Sequence, residues 1–241
     1  MPKTPMSREE IESTRGRILD TALDIIIREG FHNLSVRKIA SNLGVTATTI
    51  YNYYTNKDEI NLMIRIRGFE KLYDLLIKRS APFEDIEGKL KAMVRAYIEF
   101  GLTNPSYYDI MFNLHTPKYL DYVGTDIEPL AHTEKQNALK CLSLFMEPIS
   151  AYIPLKGKKK DRFVLFQVVK SWSDLHGVIT LYNSRLFHEV IDDVDSFIEG
   201  KTSDMIDNIM KIKKSVDAGK NFFKQTKDLT GGMRCLPHIK M

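Results

Sequence analysis

Ser171, Asp174 and His176 fall on one six-residue stretch, the first place to look for a nucleophile, an orienting carboxylate and a base. The apolar spacing around them is helical, and at about 100° per residue their side chains point to roughly 0°, 300° and 140°. They diverge and cannot form a relay. The six histidines, at 32, 115, 132, 176, 188 and 238, show no H-E-x-x-H or comparable metal-ligand spacing. There is no G-x-S-x-G, and no glycine-rich phosphate loop precedes a helix. Two cysteines, Cys141 and Cys235, are too few for a disulfide framework and are expected as reduced thiols. These observations point away from an enzyme and call for no cofactor and no metal.

Residues 46–53 are different. Thr46, Ala47, Thr48, Thr49, Tyr51, Asn52 and Tyr53 gather hydroxyl, amide and methyl groups around one apolar residue, Ile50. Such a face has little to bury and much to offer a partner. From Gly30 to Lys57 there is no Asp or Glu, while Arg37, Lys38 and Lys57 give the stretch a formal charge of +3. Residues 1–60 as a whole balance, with eight Lys/Arg against eight Asp/Glu. Local segregation of charge, rather than bulk basicity, therefore favours a phosphate backbone here.

Two short helices must position this face. Val36, Ile39, Ala40 and Leu43 recur at spacings of three and four, which gathers them on one side of a helix. Gly44 ends it, since glycine alone takes positive φ cheaply, and Thr46 can cap the next helix with its hydroxyl. Val45 and Ile50 are expected to hold the second helix against the first, giving a helix-turn-helix. Upstream, Ser7 and Glu10 make an S-x-x-E capping box for a helix that buries Ile18, Leu19, Ala22, Leu23, Ile25 and Ile26 and stops at Gly30. Downstream, Asn56 and Glu59 repeat the capping pattern for a connector helix, 56–79, with Ile60, Met63, Ile64, Phe69, Leu72, Leu75 and Leu76 inward.

L-G-V-T-x-x-T-I-Y-x-Y-Y-x-N-K-D-E-I at 43–60, with R-x-R-I-L-D-T-A-L-D-I-I-I-R-E-G-F-H-N-L-S-V-R-K-I-A before it, resembles the signature of TetR-type bacterial transcriptional regulators. Tyr54 stands where that family usually has Phe. The resemblance implies that Thr46, Ala47, Thr48, Tyr51 and Asn52 face base edges or the adjacent backbone of operator DNA, and that Ser35, Arg37, Tyr53 and Lys57 hold phosphates. W-x-x-x-H-G at Trp172–Gly177 and N-P-S-Y-Y-D-I-M-F at 104–112 are similar to segments of one TetR subgroup.

From Pro82 onward the pattern stays helical, with no strand alternation and no Gly/Ser linker. A helix is expected over 83–104, then a short aromatic segment at 106–114, an irregular connection around Pro117, and a helix over 127–152 that kinks or ends early at Pro148. GKKKDR, 157–162, reads as a solvated loop. The helix after it, 161–183, is apolar nearly all round, and 202–218 carries a second stripe. Phe166 and Val169 on the first, with Met205, Ile209, Ile212 and Val216 on the second, are the expected faces of a four-helix dimer interface. Tyr97, Phe100, Tyr107, Phe112, Trp172 and His176 concentrate aromatic surface and a few polar groups, the composition of an apolar small-molecule pocket. The competing reading is that they fill the core.

The sequence thus predicts an all-α protein, with a three-helix helix-turn-helix domain at 1–55 and a helical effector-binding and dimerisation domain at 56–241. Its expected partners are double-stranded operator DNA, a small-molecule effector and a second copy of itself, in the cytoplasm. No apolar run reaches the ~18–20 residues that span a bilayer. An all-helical small-molecule-binding or scaffold protein with no DNA role is the alternative. Residues 185–200 and the tail 219–241 match nothing interpretable.

Overall fold

The computed structural model describes residues 7–217, with the side chains of Lys159 and of residues 213–217 left undescribed. The tail 219–241, and Cys235 within it, lie outside the described residues, as does the side chain of Val216. Among the described residues the fold is all-α: α1 (Arg8–Glu29), α2 (Val36–Leu43), α3 (Ala47–Tyr51), α4 (Lys57–Ser80), α5 (Ile86–Thr103), α6 (Pro105–Tyr108), α7 (Glu128–Tyr152), α8 (Lys158–Asn183), α9 (Phe187–Val190) and α10 (Val194–Asp217). Short 3-10 turns at Phe31–Asn33 and Tyr119–Tyr122, and a π-helical turn at Asp109–Asn113, complete it.

Packing divides the chain into two compact units, 1–71 with 104–138, and 72–103 with 139–241. The boundary expected at 55/56 falls inside the first unit. The reason is that the first half of α4 is enclosed by residues from both sides of the sequence. Leu62 packs with Tyr122 and Ala131. Asn61 and Arg65, one turn apart, are buried polar groups on α4. Asn61 Nδ2 faces the Tyr122 hydroxyl at 3.5 Å, and that hydroxyl donates to Asp58 Oδ1 at 3.2 Å. Arg65 donates to the Pro117 carbonyl at 3.1 Å, and its Nη2 approaches Glu134 Oε1 to 2.6 Å, an ion pair off hydrogen-bond alignment. Burial pushes the Glu134 carboxyl above its ordinary value against the pull of Arg65, and pushes the Arg65 guanidinium down. Elsewhere on α4, Arg67 pairs with Asp20 of α1 at 2.7 Å, and Arg67 and Lys71 both lie over the Tyr107 ring. The apolar stripe read from the sequence did not include Leu62 or Ile66, both buried, and Met63 and Leu75 are only half-buried.

In the second unit α5 packs against α8 and α10. Its inward residues Leu90, Met93, Val94, Tyr97 and Phe100 are buried. Gly101 lets α8 come close: a Cβ there would lie 2.6 Å from Ile179 Cγ2 and 2.8 Å from its Cδ1. Asn183 Nδ2 closes the contact on the Gly101 carbonyl at 3.1 Å. Val178, Phe187 and Val194 form a smaller cluster that seats α9 between α8 and α10.

The helix expected over 127–152 runs, as α7, through Pro148 to Tyr152, so of the kink or early end expected there the early end is the one excluded. GKKKDR is not a loop, because α8 starts at Lys158 and the connection is the shorter stretch 153–157. Asp161 supplies an acid in that first turn, which offsets part of the clash between its lysines and the positive helix end.

Gly101→Ala should destabilise the protein by about 1–3 kcal/mol. The branched, fully buried Ile179 cannot move aside, so overpacking outweighs alanine's better helix propensity. Chemical denaturation checks it, and an unchanged midpoint would mean that α5 and α8 can separate at that point.

Candidate nucleic-acid interface

The interface is built from three consecutive caps. Ser7 and Glu10 form the reciprocal capping box that starts α1, at 2.7 Å and 3.1 Å. Ser35 accepts from Lys38 N–H at 3.2 Å and starts α2. Gly44, at φ 67° and ψ 29°, takes the left-handed turn, and Val45 N–H returns to the Ala40 carbonyl at 3.0 Å. Thr46 then accepts from Thr49 N–H at 3.2 Å, and the two threonine hydroxyls lie 3.0 Å apart. So the Thr46 hydroxyl is engaged within α3 itself.

α3 has only five residues, and Ile50, fully buried, is its one core anchor. Thr46, Thr48, Tyr51 and Asn52 are exposed, Tyr51 by 56%, while Ala47, Thr49 and Tyr53 are half-buried. Ser35 and Arg37 are also at the surface. Val45, expected to help hold α3 on α2, is 41% exposed, so Ile50 is the one fully buried residue that α3 brings to that contact. A residue so close behind the left-handed Gly44 is still in the turn, before α3 has come back onto the core.

The cations of this stretch are not equivalent. Lys38 is paired with Glu29 of α1 at 2.5 Å, so much of its charge is answered locally. The Lys57 ammonium lies 4.9 Å from the centre of the Phe31 ring, which fixes its position without neutralising it. Asn56 caps α4 as expected, accepting from Glu59 N–H at 2.8 Å. The other half of that box is absent: the Glu59 carboxylate instead takes the Thr55 N–H and hydroxyl, at 2.6 Å and 2.7 Å.

Tyr54 is 2% exposed, and its hydroxyl donates to the Arg15 carbonyl at 3.5 Å. Burial raises its pKa. The Arg15 guanidinium lies 5.2 Å from the centre of the same ring and donates to the Tyr53 carbonyl at 3.5 Å. Sequence reading assigned Arg15 no role, because an arginine on the first helix shows no sign of the distant residue it meets.

The aromatic residues expected to line an effector pocket are divided between the units. Tyr107 is held in the first, under Arg67 and Lys71, and Phe112 packs there edge-on to Phe69 and tilted on Tyr108. Tyr97, Phe100, Trp172 and His176 belong to the second. There the Trp172 indole donates to the Tyr97 hydroxyl at 2.8 Å, and Phe145 meets the Tyr97 ring edge-on. Tyr97 and Phe100 are buried, His176 is half-buried and Trp172 is 39% exposed. Of the expected interface residues, Met205, Ile209 and Ile212 are buried within the protomer itself, because their stripe on α10 faces the chain's own helices. Phe166 and Val169 are half-buried.

A three-helix head with an exposed polar helix on one buried anchor, joined to a helical body, is the architecture of a helix-turn-helix regulator. The family of bacterial regulatory proteins named tetR matches residues 18–62, and the tetracyclin repressor-like C-terminal domain matches residues 90–205. The chain belongs to the TetR family of helix-turn-helix transcriptional regulators, which are not enzymes. It is similar to the uncharacterized HTH-type transcriptional regulator YobS of Bacillus subtilis, 26% identical over 96 residues. That match takes in 40% of this chain and 50% of YobS, so the chain spans about half the length of that relative. A further uncharacterized HTH-type regulator, from Mycobacterium tuberculosis, is 24% identical over 183 residues, 76% of this chain and 74% of that protein. The crystal structure of a TetR family transcription regulator from Marinobacter aquaeolei VT8 shares the fold, with a TM-score of 0.61 at 16% identity, over 83% of this chain and 97% of that one. Among the described residues no helix is long and apolar enough to cross a membrane.

Proposed function

We propose that this regulator is a cytoplasmic homodimeric repressor that binds operator DNA with the 46–53 face and is released by a small, mostly apolar molecule. The observation that carries the DNA part is α3: a helix whose one anchor is buried while Thr48, Tyr51 and Asn52 stand in solvent, in a stretch that also carries Arg37 and Lys57 and no acid. Thr46, Ala47, Thr48, Tyr51 and Asn52 meet base edges or the neighbouring backbone in the major groove. Ser35, Arg37, Tyr53 and Lys57 hold phosphates. Placement in the W-x-x-x-H-G subgroup is part of the same reading. So is a division of labour between 1–55, which reads DNA, and 56–241, which pairs and senses.

Lys57→Ala should weaken binding to all sequences alike and lower the salt slope by roughly one, while Thr48→Ala should change which sequence is preferred. Titrations at several salt concentrations read both, and an unaltered slope in Lys57→Ala removes that residue from the phosphate set.

A single short helix buries too little for tight specific binding, so the functional unit is a dimer with its two heads ~34–36 Å apart. Since Met205, Ile209 and Ile212 are enclosed, the second copy is met through Phe166 and Val169 together with Leu181 and Phe197, which are 39% and 40% exposed. Sedimentation at micromolar concentration should give a dimer, and Leu181→Asp, by placing a charge in that contact, should give folded monomers with poor operator affinity. A monomeric wild type defeats this assembly.

The effector reading rests on Tyr97, Phe100, Trp172 and His176, where aromatic walls carry a phenol, an indole N–H and an imidazole. Tyr107 and Phe112, which belong to the first unit, are left out of it. Operator release by candidate compounds should weaken in Trp172→Ala and His176→Ala. Unchanged inducer affinity in both folded variants would make these residues core.

A further inference from the structure

α3 is far too short to hold a direction of its own: isolated helices below ~12–15 residues are marginal in water, and this one has five. Its start is fixed by the Gly44 turn and the Thr46 cap, and its middle by Ile50. A rod pinned at one end and in the middle by a single side chain can still roll about Ile50 and tilt at its far end. The far end is where Arg15 sits. Asn52, Tyr53 and Tyr54 close the last turn through N–H bonds to Thr48 and Ile50, at 3.2, 2.9 and 3.1 Å. This leaves the Tyr53 carbonyl pointing out of the turn, where the negative end of the helix collects. Arg15 donates to that carbonyl, lies over the Tyr54 ring, and receives the Tyr54 hydroxyl on its own carbonyl. One α1 side chain thus holds two successive residues beyond the end of α3.

We propose that Arg15, which the operator reading above leaves without a role, is a positioning residue that sets the tilt and roll of α3 and so the choice of base sequence. It rests on that reading. Arg15 does not itself touch DNA: its planar group, though only half-buried, is already spread between the Tyr53 carbonyl and the Tyr54 ring. Lysine cannot replace it in both contacts, because an ammonium is a point donor without the flat face that stacks on an aromatic ring. The hydroxyl of Tyr54 belongs to the same clamp, where phenylalanine would keep the ring and lose the reciprocal bond.

The test compares wild type, Arg15→Met, Arg15→Lys and Lys57→Ala on two duplexes at several salt concentrations. One is the tightest duplex that the wild type selects from a random library, and the other is the same composition scrambled. Arg15→Met should lose roughly tenfold to a hundredfold on the selected duplex, the scale of a lost base contact, and almost nothing on the scrambled one. Its salt slope should match the wild type, whereas that of Lys57→Ala should fall. Arg15→Lys should lie between. Amide exchange at residues 47–54 should quicken in Arg15→Lys with the melting temperature held, a readout available even if Arg15→Met fails to fold. A slope lower by about one in Arg15→Met would make it a phosphate contact and overturn the proposal. Equal loss on both duplexes, or unaltered exchange in Arg15→Lys, would overturn it too. A wild type that selects no duplex defeats the operator reading and this role together, while retained selectivity in Arg15→Met defeats only the role.

Discussion

The constraint on which the head depends is the brevity of α3. Five residues cannot supply both a buried face and an exposed one, so the helix gives a single side chain, Ile50, to the core and leaves the rest to solvent. Everything around it compensates for that choice. Thr46 satisfies the Thr49 N–H of its first turn, Gly44 takes the left-handed turn that leads into it, and α2 is the helix against which α3 packs. Local caps come from residues three apart in sequence, whereas the contact at the far end of α3 comes from Arg15 of α1, 38 residues before the Tyr53 it meets. The fold of the head is therefore local in its turns and non-local in its orientation.

α4 carries the second large constraint. Its first half is enclosed by α1 and by residues 104–138, so polar side chains on it end up inside rather than in water. Arg65 and Glu134 are each at least 94% buried at the side chain. A buried ion pair gives little net stability, because desolvation offsets most of its attraction, but losing either partner leaves a bare charge at a cost of about 3–5 kcal/mol. A seating of α7 on α4 that separated the carboxylate from the guanidinium would therefore carry that cost. The exposed pair Arg67–Asp20 has the opposite balance, with little desolvation and a weak, screened attraction.

What could be read from the sequence follows the same division. The Ser7–Glu10 box, the Thr46 cap, the Gly44 turn and the buried stripe of α1 are relations between residues close in the chain, and each was legible; the Ser35 cap, equally local, is passed over because that residue reads as a phosphate contact. Gly101 against Ile179, Arg65 against Glu134, and Arg15 against Tyr53 and Tyr54 join residues dozens of positions apart, and no periodicity announces them. The α10 stripe shows a subtler limit. Met205, Ile209 and Ile212 do lie on one apolar face, but amphipathicity says only that the face is covered, not whether by the same chain or by another copy. At Pro148 the sequence allows a kink or an early end, and only the early end is excluded: tertiary packing can carry a helix through the loss of one N–H bond, so α7 runs on to Tyr152.

Charge segregation in the head has a finer grain than the sequence count of +3 implies. Lys38 is turned back onto Glu29, while Lys57 stands over Phe31. An ion pair and a cation–π contact both fix a lysine, but only the first supplies a negative charge to compete with a phosphate. Lys57 is held in place with its charge intact, at little conformational cost to later binding, because the side chain is already ordered. The same logic separates Arg37, exposed at the surface, from Arg15, which is half-buried and already engaged by a ring and a carbonyl. The cations of the head thus differ in availability, and for Lys38, Lys57 and Arg15 what sets it is the group that each meets across the fold.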